Sequence, residues 1–142
     1  MSTDNLPASD PAKPAILTIR NARMADVGAI SALVGRVYKD DIPYTAGMLR
    51  GQIAIYPDGQ LVVEYMGEIV GYAASFRIDE ASAMRAHTWE DITGGGYASR
   101  HDPNGEWIYG MEVCVDPARR RLRIGQRLYD ARRELCEVQN LK

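Results

Sequence analysis

The sequence is poor in the residues that mark disulfide-bonded and metal-binding proteins. It contains two cysteines and two histidines among 142 residues. Cys114 falls in an apolar run and Cys136 in a helical pattern, so we expect both to be small buried side chains rather than a disulfide. His87 and His101 have no cysteine near them, which disfavours a metal site. We therefore expect neither a disulfide framework nor a bound metal.

Long apolar runs and a strong excess of one charge are also lacking. No stretch approaches the roughly 20 apolar residues that a membrane-spanning helix needs. The net charge of −2 gives no general attraction to nucleic acid or to anionic membranes. The first residues do not show the charged-then-apolar pattern of a secretory signal. These features favour a cytoplasmic protein that binds neither nucleic acid nor membrane.

The chain divides into a short tail and one domain. Residues 1–15 are rich in Ser, Asp, Ala and Pro, and we expect them to be disordered. Hydrophobic periodicity over residues 16–142 predicts an α/β domain of alternating strands and helices. Strands are predicted over 16–20, 60–65, 69–77 and 107–115, and helices over 24–38, 45–55 and 124–138.

The segment from 79 to 106 does not follow this regular pattern. It contains a short helical piece, three consecutive glycines at 94–96 and a turn sequence at 102–105. Connections of this length are usually functional or form docking surfaces. We interpret the segment as an insertion that covers one end of the sheet, either as a lid over an acceptor site or as a contact to another domain.

One strand–turn–helix unit carries the strongest functional signal. The strand ends at Asp116-Pro117, because proline donates no ladder hydrogen bond. A basic turn follows, and an amphipathic helix begins near Ile124. The free backbone N–H groups and the dipole of such a helix favour phosphate. The turn adds four arginines, at positions 119, 120, 121 and 123. The unit therefore predicts a pyrophosphate site, although it lacks the glycine spacings of a Walker loop or a dinucleotide fingerprint.

The stretch Arg120-Arg121-Leu122-Arg123-Ile124-Gly125 resembles the coenzyme A signature of the GNAT N-acetyltransferase superfamily. Arg120 fills the first position of that signature and Gly125 the last. Arg123 stands where the family usually has glycine, so it either crowds the pyrophosphate or turns outward. More narrowly, residues 109–117 and 122–136 are similar to the acetyltransferase domain that precedes a carbon–nitrogen hydrolase domain in some bacterial proteins.

The resemblance implies a GNAT-like, mostly antiparallel mixed sheet with helices on both faces, which binds acetyl-CoA. In that family the fold continues past the signature helix, so we expect this chain to be the front part of a longer protein, with an unpaired sheet edge that favours association into homo-oligomers. The residues implied in coenzyme A binding are Val113, Cys114, Val115, Arg120, Arg121, Leu122, Arg123, Ile124, Gly125 and Gln126.

Glu112 is the candidate general base. A carboxylate within an apolar strand must be paired, exposed to a cleft or shifted in pKa. The resemblance implies a base that acts through water, and the alternative is a structural hydrogen-bonding role. Alternation along the strand predicts that Glu112 shares one face with Ile108, Gly110 and Cys114, and that the other face carries Trp107, Tyr109, Met111, Val113 and Val115.

Two functional hypotheses follow. The first is transfer of an acetyl group from acetyl-CoA to the primary amine of a small molecule or a protein, directly and without a covalent enzyme intermediate. The second is a non-catalytic acyl-CoA-binding or regulatory domain, fused or docked to a carbon–nitrogen hydrolase domain. An interaction module without any ligand is a third and weaker interpretation.

Overall fold

The computed structural model describes residues 16–142, so the tail predicted over residues 1–15 lies outside it. Four strands, numbered in chain order, span Leu17–Asn21 (β1), Leu61–Tyr65 (β2), Glu68–Ile78 (β3) and Trp107–Val115 (β4). Five α-helices span Val27–Tyr38 (α1), Ala46–Ile55 (α2), Glu80–Met84 (α3), Trp89–Thr93 (α4) and Ile124–Gln139 (α5). Three 3₁₀ turns span Met24–Asp26, Pro57–Gly59 and Pro117–Leu122.

The strands form one sheet in the order β1-β2-β3-β4, and each neighbouring pair is antiparallel. This confirms the predicted fold class. The outer edge of β4 also bonds to the main chain of Lys142, whose N–H donates to Glu106 O at 2.8 Å. Ile108 N–H in turn donates to Lys142 O at 3.0 Å, and this pair of bonds has the parallel pattern.

Helices cover both faces of the sheet. On one face α1 and α2 pack against alternate β3 residues, with Tyr72 and Phe76 fully buried between them. On the other face Ile124 and Leu128 of α5 pack against Val63, Val70 and Ala73. A side chain at Gly71 would place its Cβ only 2.6 Å from Ile124 Cγ2, so the small residues of β3 let α5 approach closely.

A β-bulge in β4 overturns the predicted division of this strand into two faces. Ala74 of β3 pairs with Glu112, but the next residue, Ser75, pairs with Gly110, so Met111 is an extra residue on β4. Tyr109 lies opposite Phe76, on the α1/α2 face. The faces predicted from simple alternation are therefore wrong for the residues of β4 that precede Glu112. Trp107 and Tyr109 share the face of Glu112 and Cys114, while Gly110, where a Cβ would meet Arg132 of α5, shares the α5 face with Val113 and Val115.

Two expectations for α5 also need correction. The three- and four-residue spacing that starts at Ile124 predicts that Val138 lies on the apolar face of α5, but this residue is 78% exposed. The same spacing predicts that Arg132 faces solvent, but its guanidinium turns inward and donates to two sheet carbonyls. The apolar stripe is thus interrupted by a buried cation, which hydrophobic periodicity does not reveal.

The segment from 79 to 106 packs on the domain through specific bonds. Trp89 Nε1–H donates to Met111 O at 3.1 Å, and Gln52 Nε2–H donates to Gly96 O at 2.7 Å. The amide of Arg77 donates to His101 Nδ1 at 3.0 Å. The segment is therefore fastened to α2, β3 and the bulge of β4, while its role as lid or docking surface stays a prediction.

Candidate coenzyme A and acyl-transfer site

The basic turn after β4 is fixed from three directions at Asp116. Its Oδ1 accepts from the N–H of Ala118 at 2.9 Å, which caps the 3₁₀ turn. Its Oδ2 accepts from Arg36 Nε of α1 at 3.2 Å, and its own N–H donates to Val70 O at 2.9 Å. Because Asp116 is buried and Arg36 only half-exposed, this ion pair ties the turn to α1 and to β3.

The arginines of the turn divide into anchored and free ones. Arg119 pairs with Glu68 at 3.6 Å and lies over the Tyr65 ring at 5.4 Å from its centre. Within residues 16–142, the exposed side chains of Arg120, Arg121 and Arg123 form no ion pair. Beside them lies an open cavity of about 320 Å³, lined by Tyr65 and residues 117–122. The free guanidinium groups are thus available to an anion.

The arginine that replaces a family glycine occupies a left-handed position. Arg123 has φ 55° and ψ 37°, where an L-residue is strained and glycine is favoured. Its side chain is exposed rather than packed under the turn. Gly125, by contrast, is helical, and a Cβ there would meet only Val115 Cγ2 at 3.8 Å. The special backbone of the signature is therefore at position 123.

The start of α5 presents unpaired donors beside these arginines. The first bond of the 16-residue helix runs from Arg127 N–H to Arg123 O, and no side chain of residues 16–142 caps the helix start. The preceding N–H groups, those of Ile124, Gly125 and Gln126, are therefore free of helical partners. Ile124 is buried and the side chain of Gln126 donates to Asp130, so the groups of these two residues that can bind an anion are their main-chain N–H groups. Free N–H groups, a helix dipole and free guanidinium groups together suit a pyrophosphate.

Glu112 lies on the α1/α2 face of β4, where two tyrosines bond to it. Tyr38, the last residue of α1, donates to Oε1 at 3.0 Å and to Oε2 at 2.8 Å. Tyr44, in the α1–α2 connection, donates to Oε1 at 2.7 Å. No Lys, Arg or His side chain of residues 16–142 pairs with this carboxylate. Since Tyr38 is the only donor to Oε2 within residues 16–142, this oxygen keeps acceptor capacity for a further donor.

Burial and the carboxylate keep both phenols protonated. Burial, and then the hydrogen bond to Glu112, raise the pKa of Tyr38 above its ordinary value. Burial and the charge of Glu112 raise the pKa of the almost wholly buried Tyr44 still further. The same two causes raise the pKa of the Cys114 thiol to about 12, so it is a poor nucleophile at neutral pH.

The remaining predicted residues lie between the carboxylate and the basic turn. Val113 and Val115 are half-buried on the α5 face, and Cys114 is buried on the face of Glu112. Sequence reasoning did not identify Tyr38 and Tyr44, which lie 74 and 68 residues before Glu112 along the chain. No local spacing signals such contacts, because they depend on how α1 packs across β4.

Comparison with known proteins identifies the family. The profile described as "Acetyltransferase (GNAT) family" matches residues 31–142. The chain belongs to the GNAT acetyltransferase family. The family is one of acyl-CoA-dependent acyltransferases, which agrees with the pyrophosphate site predicted at the start of α5.

Two relatives of this GNAT domain come from Bacillus subtilis (strain 168). The protein named "Probable hydrolase YhcX" is 38% identical over 126 residues, which cover 89% of this chain and 25% of YhcX. The protein named "Uncharacterized N-acetyltransferase YkwB" is 28% identical over 130 residues, covering 89% of this chain and 58% of YkwB. The chain thus spans about a quarter of one relative and somewhat more than half of the other. The first of them agrees with the expected likeness to a domain fused to a hydrolase.

Solved structures share the fold of this GNAT domain. The GphF GNAT-like decarboxylase in complex with isobutyryl-CoA has a TM-score of 0.74 at 27% identity, covering 84% of this chain and 58% of GphF. The loading GNATL domain of CurA from Lyngbya majuscula has a TM-score of 0.73 at 21% identity, covering 85% of this chain and 58% of that one, and shows the fold alone. One of these similar structures therefore has an acyl-CoA bound.

Two further observations concern only residues 16–142 of this GNAT domain. None of its helices there is both long and apolar enough to cross a membrane. No group of three or more His, Cys, Asp and Glu side chains in that range is arranged to hold a metal ion.

Proposed function

We propose that this GNAT domain transfers an acetyl group from acetyl-CoA to a primary amine, directly and without a covalent enzyme intermediate. The observation that carries the proposal is the Glu112 carboxylate, which two phenols orient and which no cation neutralises within residues 16–142. It lies on the strand that leads directly into the free arginines. A base and an anion site thus flank one strand.

In this proposal the cosubstrate is held mainly through its phosphates. Arg120, Arg121 and Arg123 supply guanidinium groups, and the first N–H groups of α5 supply main-chain donors. Main-chain groups of Val113, Cys114 and Val115 bind the pantetheine arm and the thioester carbonyl. The wide Arg123 side chain turns outward, which keeps the backbone at this position accessible to an anion.

Glu112 acts on the acceptor. An acceptor ammonium gives one proton to Oε2 of Glu112, directly or through one water, because that oxygen has acceptor capacity left. The amine then attacks the thioester carbonyl, a C–N bond forms and the C–S bond breaks. A second proton passes from the nitrogen to the leaving thiolate, so the products are an amide and coenzyme A with a free thiol. Tyr38 and Tyr44 keep the carboxylate oriented while it gains and releases the proton.

Turnover by the purified chain tests the proposal. Release of free thiol from acetyl-CoA is measured with a panel of small primary amines and a lysine-containing peptide, together with acetyl-CoA affinity by calorimetry. We expect Glu112→Gln to lower kcat by about 100-fold or more while affinity stays unchanged. Glu106→Gln, which removes an exposed carboxylate just before β4, is the matched control and should change neither value. An unchanged kcat in Glu112→Gln overturns the assignment of the base.

A second candidate function is acyl-CoA binding without amine acetylation. The hydrogen bonds from Tyr38 and Tyr44 to Glu112 support it, because a carboxylate with a purely structural role would be bonded in the same way. It predicts that the domain binds acetyl-CoA but acetylates no amine. In this case the domain would be a regulatory part of a longer protein that also contains a carbon–nitrogen hydrolase domain. The likeness to a GNAT-like decarboxylase adds a check for loss of CO₂ from malonyl-CoA, a simple carboxylated acyl thioester. Loss of CO₂ without amine acetylation would replace the proposed reaction by another one at the same site.

A further inference from the structure

The guanidinium of Arg132 bridges β3 and β4 beside the bulge. Its Nη2–H groups donate to Ala74 O and to Glu112 O, both at 3.0 Å. Ala74 and Glu112 face each other across the two strands and are the last pair before the extra residue Met111. The arginine therefore contacts the main chain at the point where β4 changes its alternation.

Gly110 leaves the space that this guanidinium occupies. A Cβ at Gly110 would approach Arg132 Cζ to 2.9 Å and would come closer still to Nη1. Two residues before Glu112, the α5 face of β4 is thus filled by a side chain from α5 rather than by its own side chain. The inward position of Arg132 thus depends on the absence of a side chain at Gly110.

This cation is not retained for a favourable ion pair. No carboxylate within residues 16–142 pairs with Arg132, and its buried Nε–H has no hydrogen-bond partner. Burial lowers the pKa of the guanidinium, which reflects the cost of removing the charge from water. Since a buried, incompletely satisfied cation costs stability, an apolar residue of similar length would serve packing better.

The two faces of the sheet therefore fix Glu112 at different atoms. On one face Tyr38 and Tyr44 hold its carboxylate. On the other face Arg132 holds its carbonyl oxygen and thereby the backbone of the bulge. We propose that Arg132 is a positioning residue for acyl transfer, which sets the place of Glu112 by locking the Met111 bulge against Ala74. This inference rests on the proposed function and adds a residue to it.

The test compares Arg132→Met with Arg133→Met, which removes the neighbouring exposed arginine of the same helix. We expect Arg132→Met to lower kcat by about 10- to 100-fold, because small misplacements of a catalytic group cost that much. Acetyl-CoA affinity should stay within about two-fold, because the arginine turn is a separate element. Arg133→Met should leave both values unchanged. Unchanged kcat in folded Arg132→Met overturns the inference.

Gly110→Ala supplies an independent route to the same displacement. The added Cβ should push the guanidinium aside and lower kcat although Arg132 is present. In the double variant Gly110→Ala/Arg132→Met the two effects should not add, because the bridge is already lost. Additive effects on kcat would show that Gly110→Ala does not act by displacing Arg132. If Arg132→Met fails to fold, Gly110→Ala carries the test by itself, and an unchanged kcat in that variant overturns the inference.

Amide hydrogen exchange separates this inference from the proposed function. Protection of the amides of residues 111–113 should fall about ten-fold or more in Arg132→Met, and not in Arg133→Met. If the native chain acetylates no amine, the proposed function fails, and loss of protection still shows that Arg132 locks the bulge. If protection is unchanged, Arg132 does not hold the bulge, whatever the activity.

Discussion

Tyr44 donates a 2.7 Å hydrogen bond to Glu112 across 68 residues of chain. The bond joins the α1–α2 connection to the middle of β4, and Tyr38 at the end of α1 donates to the same carboxylate. The orientation of Glu112 thus depends on where α1 ends. A shift in the position of that helix end should change the orientation of the Glu112 carboxylate.

Removing either hydroxyl should therefore affect both stability and catalysis. We expect Tyr44→Phe to lower the free energy of unfolding by about 1–3 kcal/mol, because a hydrogen bond to a charged group is lost. Denaturant unfolding measures this. In the Glu112→Gln background the same change should cost less, since the charge is absent. If Tyr44→Phe lowers the free energy of unfolding equally in both backgrounds, the stabilisation by the hydroxyl does not depend on the charge of Glu112.

The free arginines should govern acetyl-CoA affinity. We expect Arg120→Ala and Arg121→Ala each to weaken binding by about ten-fold, since each removes a charge-assisted contact to phosphate. Calorimetry at two salt concentrations measures this, and the loss should be smaller at high salt because screening weakens the native contacts. Arg133→Ala, which removes an exposed arginine of α5 away from the turn, is the control. Unchanged affinity in both variants would favour a module without a coenzyme A ligand.

Restoring the family glycine should stabilise the domain. Arg123 adopts φ 55°, so Arg123→Gly relieves left-handed strain, which exceeds the entropy that glycine adds to the unfolded chain. We expect the free energy of unfolding to rise by about 0.5–1 kcal/mol. Arg123→Ala should not show this gain, because alanine keeps the Cβ. A gain in both variants would mean that the side chain, not the backbone, is strained.

The close approach of α5 to β3 should not tolerate a side chain at Gly71. Gly71→Ala places a Cβ at 2.6 Å from Ile124 Cγ2, and we expect a loss of about 1–3 kcal/mol from overpacking. Gly28→Ala in α1 is the matched control, because nothing lies within 4 Å of a Cβ there. Its free energy of unfolding should stay the same or rise by about 0.5 kcal/mol. Equal losses in both variants would exclude overpacking as the cause.

An ion pair near the start of α1 should make stability pH-dependent. Arg20 donates to Asp26 at 2.8 and 2.9 Å, and these bonds hold the pKa of Asp26 below its usual 3.8. The stabilisation is therefore complete above that value and is lost as the pH falls through the lower pKa of the folded state. At pH 7 Asp26→Asn should cost about 1–3 kcal/mol, because the partly exposed Arg20 loses a charged hydrogen-bond partner.

The difference between Asp26→Asn and the native chain should shrink as the pH falls below about 3.8, the unfolded value. Urea unfolding at pH 7, 4 and 3 measures it. Asp58→Asn is the control, because the Asp58 side chain accepts from Gln139 and forms no ion pair within residues 16–142. A constant difference at all three values would show that the charge of Asp26 is not the cause.

The four strands and the three long helices were predictable because each has a local pattern, whereas the five-residue helix α4 was not predicted. The helix cap is an example, since Thr45 accepts from Met48 N–H as its residue type predicts. The basic turn was predictable for the same reason, because its proline, arginines and helix start are contiguous. The left-handed backbone at Arg123 was signalled only by the glycine that the family usually has there.

The environment of Glu112 was not predictable from local pattern. Alternation along β4 fails at Met111, because a bulge inserts one residue and periodicity assumes none. Arg132 reads as a surface residue by composition, yet it is bonded to the sheet since Gly110 leaves it room. Both features arise from packing between distant segments, which a single sequence does not encode by spacing.

The extra residue in β4 also affects how relatives should be aligned. A related chain without the bulge has one residue fewer between the position of Trp107 and that of Asp116. An alignment that places this gap away from position 111 assigns residues to the wrong side of the sheet over the intervening stretch. An aromatic residue matched to Ile108 by counting back from Asp116 would then be equivalent to Trp107. Family comparisons of the acceptor side should therefore anchor the gap at Met111 before side chains are compared.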